Sequence, residues 1–170
     1  MNSTGDAETN FFHQHDLVAT LDRKFSRLHL RSTEIIQSTP DLLLYQVPNG
    51  TSNEALRSIG ESVLRSAAAV EQTFGGINSN LWDDPFEWTL PEQLSTPAAV
   101  LAHLDEVESV RRHAFATFTD DSCLMKAVAA PSGLVILAEL LLKTLTRAEH
   151  YQTQARSILR LLSGNDVAAN

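Results

Sequence analysis

The sequence predicts an all-α protein, a four-helix bundle with a long crossover loop between helices 2 and 3. Three observations carry the helical part of that expectation. Four stretches repeat apolar residues at spacings of three, four and seven, the signature of one buried helix face. One stretch, 78–95, lacks the rhythm yet holds both tryptophans. Nowhere does an apolar–polar alternation mark a half-buried strand.

The first helix is expected from Asp16, with Leu17, Leu21, Phe25, Leu28 and Ile35 on its inward face. Pro40 ends it, because the residue before a proline is pushed out of the helical region. A link through Tyr45, Pro48 and Gly50 follows. Thr51 and Glu54 have the spacing of a capping box for the second helix. Leu56, Ile59, Val63, Ala67, Val70, Phe74 and Ile77 continue it, with Gly75 and Gly76 as natural stop residues and Ile77 just past the end.

The crossover contains Trp82, Pro85, Phe86, Trp88 and Pro91. A loop of that length is usually packed by its own side chains or functional. The expectation is that it folds over one end of the bundle. Thr96 as cap and Pro97 at the first helical position open the third helix. Leu101, Leu104, Val107, Arg111, Ala114 and Phe118 mark its face. Asp120-Asp121-Ser122 reads as a turn, and 123–130 as a short helical or irregular link. Ser132 then caps a fourth helix from Gly133 to Gly164, with Leu134, Leu137, Leu141, Ala148, Tyr151, Ala155, Ile158 and Leu162 inward.

Composition sets the outer limits. The chain has 170 residues, with 13 Lys and Arg against 21 Asp and Glu, for a net charge of −8. That length suits one domain. The domain is expected over 16–164, between a disordered tail at 1–15 and a C-terminal tail at 165–170. The acidic balance argues against nonspecific nucleic-acid binding, which depends on cations meeting phosphates. The single Cys123 excludes an intramolecular disulfide and a cysteine-rich zinc site. The opening residues lack the cationic start and apolar run of a signal peptide. The most apolar run, 134–142, falls short of the roughly 20 residues needed to span a bilayer. No membrane association is expected, and a cytoplasmic location is. Glycine-rich phosphate loops and a serine elbow are absent.

Three segments taken in order resemble the DinB/YfiT-like superfamily over roughly 16–164. They are Ser58-Ile59-Gly60-Glu61 with Leu64, then Thr96-Pro97 with its helix, then Glu149-His150-Tyr151-Gln152-Thr153-Gln154 with Leu159-Arg160-Leu161-Leu162 and Gly164. The resemblance implies a four-helix bundle. In many members it also implies a metal held by one histidine on the second helix and an H-x-x-x-H pair on the fourth, with some members transferring thiols. Here those three places fall on Arg65, Arg147 and Tyr151. The six histidines are His13, His15, His29, His103, His113 and His150, and no two stand three or four apart. Arginine offers a cation no lone pair. No metal and no cofactor are therefore expected.

If Arg65, Arg147 and Tyr151 share a cavity, two readings stay open. Local carboxylates can neutralise the arginines, since Glu61 precedes Arg65 by four residues, as Glu139 precedes Lys143. Alternatively the pair grips a small anion, because the planar guanidinium binds two oxygens at once. Tyr151 and Gln154 would then add neutral groups. The candidate ligand-binding set is Arg65, Arg147, Tyr151, Glu61 and Gln154, with catalytic residues unknown. His150 is expected at the surface, Asp83-Asp84 as loop solvation, and Cys123 as a small packed residue. His13 and His15 form an H-x-H in the tail. Trp82 and Trp88 are expected to pack the loop or line a pocket mouth. The leading functional expectation is a small-molecule or interaction module without metal. The alternatives are a metal-dependent thiol transferase or hydrolase, and a structural subunit that forms a homodimer.

Overall fold

The structure is a computed structural model that describes residues 16–48, 57–85 and 93–168. The capping pair Thr51 and Glu54, the side chains of Phe86, Trp88 and Pro91, and the tail with His13 and His15 lie outside the described residues.

Four long helices carry the fold: α1 (Asp16–Gln37), α2 (Ile59–Ser79), α3 (Pro97–Phe115) and α4 (Leu137–Ala168). Short 3-10 turns at Asp41–Leu43 and Asp121–Met125 follow α1 and α3. A two-stranded antiparallel sheet, β1 (Ala127–Ala130) and β2 (Gly133–Ile136), precedes α4. No helix among the described residues is long and apolar enough to cross a membrane.

The helix faces follow the apolar period. Leu21, Phe25, Leu28 and Ile35 of α1 are buried, as are Ile59, Val63, Ala67, Val70 and Phe74 of α2. Leu104, Val107 and Ala114 meet them from α3, and Leu137, Leu141, Ala148, Ala155, Ile158 and Leu162 from α4. Leu17, in the first turn of α1, is 50% exposed. An aromatic group fills one end of the core. Phe25 meets Phe74 edge-on at 5.1 Å between ring centroids, and Phe115 touches both. Phe118 lies beyond the end of α3 and still packs on Phe115 at 5.2 Å.

The caps show how sequence sets the ends. Thr96 Oγ1 accepts from Ala99 N–H at 3.2 Å, with Pro97 in the first turn of α3. Ser58 Oγ accepts from Glu61 N–H at 3.1 Å and opens α2. At the other end of α2, Gly75 and Gly76 do not stop the helix, which runs through Ile77 to Ser79. Asn80 takes the left-handed conformation there (φ 54°), a role asparagine tolerates better than most residues. Its N–H bonds Gly76 O at 2.9 Å, and Leu81 N–H bonds Gly75 O at 3.3 Å. Gly76 instead serves packing: a Cβ there would fall 2.4 Å from the Trp82 ring, which lies over the helix at that point.

The hairpin corrects the expectation of a helix from Gly133. Ala130 pairs with Gly133 across the two residues Pro131 and Ser132, and Ala127 pairs with Ile136. Proline fixes its own φ, and Gly133 takes φ 112° where the chain reverses. Leu134 is consequently 78% exposed rather than inward. Leu137 N–H bonds Lys126 O at 2.9 Å, so α4 starts where the hairpin closes. At its far end α4 passes Gly164 and runs to Ala168, so residues 165–168 belong to the helix and not to a tail.

One charged side chain sits inside. Arg111 is 2% exposed on the inward stripe of α3. Its Nε and Nη2 donate to the two carboxylate oxygens of Glu108 at 2.8 and 2.7 Å. Nη1 donates to Asp22 Oδ1, and Nη2 also reaches Ser26 Oγ at 3.1 Å. Burial alone would lower the pKa of the guanidinium. The bonds to Glu108 and Asp22 outweigh that and raise it further above its ordinary value.

Two substitutions test this packing. Gly76→Ala should cost about 1–2 kcal/mol in urea unfolding as the indole is forced off the helix. In a Trp88→Phe background its emission should shift to the red. Arg111→Ala should cost roughly 3 kcal/mol, because Glu108 and Asp22 lose their common counter-ion.

Candidate functional site

The seam between α2 and α4 is built from small and hydroxyl-bearing side chains. Ser66 Oγ donates to Ala148 O at 2.9 Å. Thr144 Oγ1 donates to Leu140 O at 2.9 Å, so the buried 2.7 Å contact between Thr73 and Thr144 takes its proton from Thr73. Gln152 reaches the other way, donating to Leu28 O at 2.7 Å and Ser32 Oγ at 2.9 Å on α1.

Where this seam meets the hairpin turn and the crossover, it opens into a cleft of about 270 Å³. Gln72, Thr73, Trp82, Ser132, Lys143 and Arg147 are among its lining residues. Arg147 Nη1 donates to Gln72 Oε1 at 3.2 Å, and Nη2 lies 3.7 Å from Asp84 Oδ2. Gln72 Nε2 in turn donates to Trp82 O at 2.9 Å, which ties the crossover to α2. Lys143 pairs with Glu139 at 2.6 Å, the spacing expected from the sequence.

The five predicted site residues do not line one cavity. Arg147 lines the cleft, and both Arg147 and Tyr151 line a groove on the outer side of α4. Arg65 lines neither; its Nε donates to Glu61 Oε1 at 3.0 Å, and Arg57 Nε shares that same oxygen at 3.0 Å. Glu61 therefore neutralises Arg65 on its own helix, as the four-residue spacing suggested, and also Arg57, which precedes the Ser58 cap. The guanidinium of Arg57 also lies 5.6 Å from the centre of the Tyr151 ring. Gln154 Nε2 lies 3.1 Å from His150 Nε2 at the surface. Neither Arg65 nor Arg147 is buried: their side chains are 27% and 47% exposed. The supposition that Arg65, Arg147 and Tyr151 share one cavity is thus not met. An α-helix surface gives long basic side chains an easy route to water.

Sequence reading did not place Gln72, Trp82, Asp84 and Lys143 around Arg147, since they come from three separate parts of the chain. The presence of both tryptophans in the crossover was the one available hint. Trp82 does pack the loop, and it also lines the cleft mouth. His150 is exposed and Cys123 is buried, as expected.

Two other places gather titratable groups. A cleft of about 720 Å³ between α1 and α3 is lined by Asp22, His29, Glu108 and Arg111, with Asp120 and Asp121 at its edge. Asp121 is occupied there in capping α1 through the N–H groups of Leu17 and Val18, at 3.3 and 3.0 Å. Glu71 of α2 faces His103 of α3 at 3.5 Å, and its buried Oε2 accepts no hydrogen bond. Among the described residues, no three His, Cys, Asp or Glu side chains converge as a metal site would require. Compared with models of protein families and with curated proteins, the chain gives no match.

Burial raises the Glu71 carboxyl above its ordinary value; His103 pulls it down by less, and Glu106 adds to the rise. A carboxyl that binds its proton more tightly folded than unfolded subtracts stability as pH climbs from the ordinary carboxylate range through the elevated value. Glu71→Gln should therefore raise the urea midpoint at pH 7. The gain should shrink as pH falls from the elevated value toward the ordinary carboxylate range, and be gone below it.

Proposed function

We propose that the chain is a DinB-like four-helix bundle that binds a small anion without a metal, at the cleft where α2, α4 and the hairpin turn meet. Helix order, the Thr96-Pro97 start and the crossover before α3 support the likeness. The three places where the resemblance would put imidazoles hold Arg65, Arg147 and Tyr151. Two guanidiniums and a phenol do not fit a divalent cation, so no step is routed through one.

The observation that carries the reading is the position of Arg147. Its guanidinium reaches across the helix seam to Gln72, and Arg147 lines a cleft that Lys143, Thr73, Thr144 and Ser132 also line. Arginine keeps further N–H donors beyond the one given to Gln72, and a tetrahedral or planar anion can accept them together. An acid at this place needs only to compete with the 3.7 Å approach of Asp84. The role is binding and orientation of the anion.

Isothermal titration with inorganic phosphate and with pyrophosphate tests this. Saturable binding is expected, with a dissociation constant on the order of millimolar for phosphate, because the guanidinium is half exposed to water. Arg147→Gln should weaken it about fivefold or more, the worth of one charge-assisted contact, and Arg65→Gln should leave it unchanged. No saturable heat, or equal binding by Arg147→Gln, would overturn the reading. Stoichiometric zinc or nickel in protein purified without a histidine tag would favour the metal-dependent transferase or hydrolase instead.

A further inference from the structure

We infer that the anion bound at Arg147 carries an apolar tail, and that its class is a monoacyl anion of about eight to ten carbons; this rests on the anion-binding reading above. The inference comes from how two openings share their cations. Lys143 and Arg147 line the small polar cleft, and both also line the groove on the outer side of α4. That groove is larger, about 920 Å³, and its other walls are mainly apolar. Met125, Ile136, Ala138 and Leu142 form its far part.

These side chains are unusually open to water. Met125 is 70% exposed, Leu142 56% and Ile136 37%. Ala138, Leu142 and Thr146 follow one another at four-residue steps, so the groove runs along the helix axis. From Arg147 back to Ala138 the axis advances about 13 Å, room for roughly eight to ten methylenes. Met125 and Ile136 come from the 3-10 turn and β2 and stand at that far part, beyond the first residues of α4. Charge selects the orientation. Lys143 stands beside Leu142 and is matched by Glu139, whereas Arg147 lies one turn further along, with one donor on Gln72 and a 3.7 Å approach to Asp84, and is the cation placed to meet the head group. A neutral lipid or a cationic amphiphile lacks that partner.

The test is a titration of the full chain with butyrate, hexanoate, octanoate and decanoate, each below its micelle-forming concentration, alongside inorganic phosphate. Affinity should rise about twofold per methylene, half of what full burial would give because the groove is open on one side. Leu142→Asp, at an exposed position, should flatten that rise; the slope against acyl length is the readout, because the added carboxylate beside Lys143 also weakens every anion by a constant factor. Decanol should bind at least tenfold more weakly than decanoate. Phosphate binding with no dependence on acyl length would overturn the tail and leave the anion reading standing. Loss of both would overturn both. Decanoate binding that ignores Leu142→Asp would mark an adventitious detergent-like association and overturn the assignment. So would a dimer in sedimentation that Leu142→Asp splits and decanoate does not, since the groove would then belong to a second copy of this chain.

Discussion

The close approach of α2 and α4 is the constraint on which the rest depends. It is possible because the residues between them are small: Ser66, Ala69 and Thr73 on one side, Thr144 and Ala148 on the other. Each hydroxyl in that seam is satisfied by a carbonyl or a second hydroxyl on the opposite helix or its own. A buried hydrogen bond adds only about 1 kcal/mol net, but an unmade one costs more. These bonds therefore act less as a source of stability than as a penalty on any other register. Stability comes from the apolar faces; the seam decides which turn of α4 stands opposite which turn of α2. That choice puts Arg147 opposite Gln72 and beside the crossover, and nothing in the apolar pattern alone would.

The two sides of the molecule treat arginine in opposite ways. On the α1–α3 side Arg111 is taken inside, and every nitrogen of its guanidinium donates to Glu108, Asp22 or Ser26. It also lies 5.1 Å from the centre of the Phe115 ring. Such a cation is spent on structure, because a ligand would have to displace partners already buried with it. On the α2–α4 side the arginines stay near water, and their neighbours are a carboxamide, a distant carboxylate or a carboxylate shared between two cations. The larger opening between α1 and α3 is accordingly the poorer candidate for binding, since its polar walls are already bonded to one another.

Helix existence was legible because α1, α2 and α3 repeat their apolar residues with a steady period, and the Thr96-Pro97 start is a local signal that tertiary structure did not override. The hairpin was not legible for a definite reason. Gly133 to Ile136 is apolar and runs without a break into α4, so a helical stripe drawn through Leu134 and Leu137 looks continuous. Only Pro131 and the left-handed freedom of Gly133 betray the reversal, and Ser132 beside them mimics a cap. Likewise the glycine pair in α2 reads as a stop, whereas its physical use is to let the Trp82 ring lie against the helix. Of the residues around the cleft, the sequence reading singled out Arg147 alone for ligand binding, and not the shape around it. Glu61 beside Arg65 follows from four-residue spacing, but the meeting of residues 72, 82, 84, 143 and 147 depends on contacts that no local pattern encodes.

Magnitudes then decide what such a site can recognise. A half-exposed guanidinium gains on the order of 1 kcal/mol from a single opposite charge in water. That is far too little for a selective site, and the acidic chain as a whole works against anions at long range. Each methylene taken fully from water contributes about 0.8 kcal/mol, so even partial burial of a short chain exceeds the charge term. On the proposed reading, specificity comes from the apolar strip, with Arg147 fixing polarity and end position. A bundle that kept imidazoles at these places could derive its affinity from coordination bonds alone; one that carries guanidiniums there needs surface area. On the proposed reading that area is supplied by the open side chains of Met125, Ile136 and Leu142, which line one groove with Lys143 and Arg147.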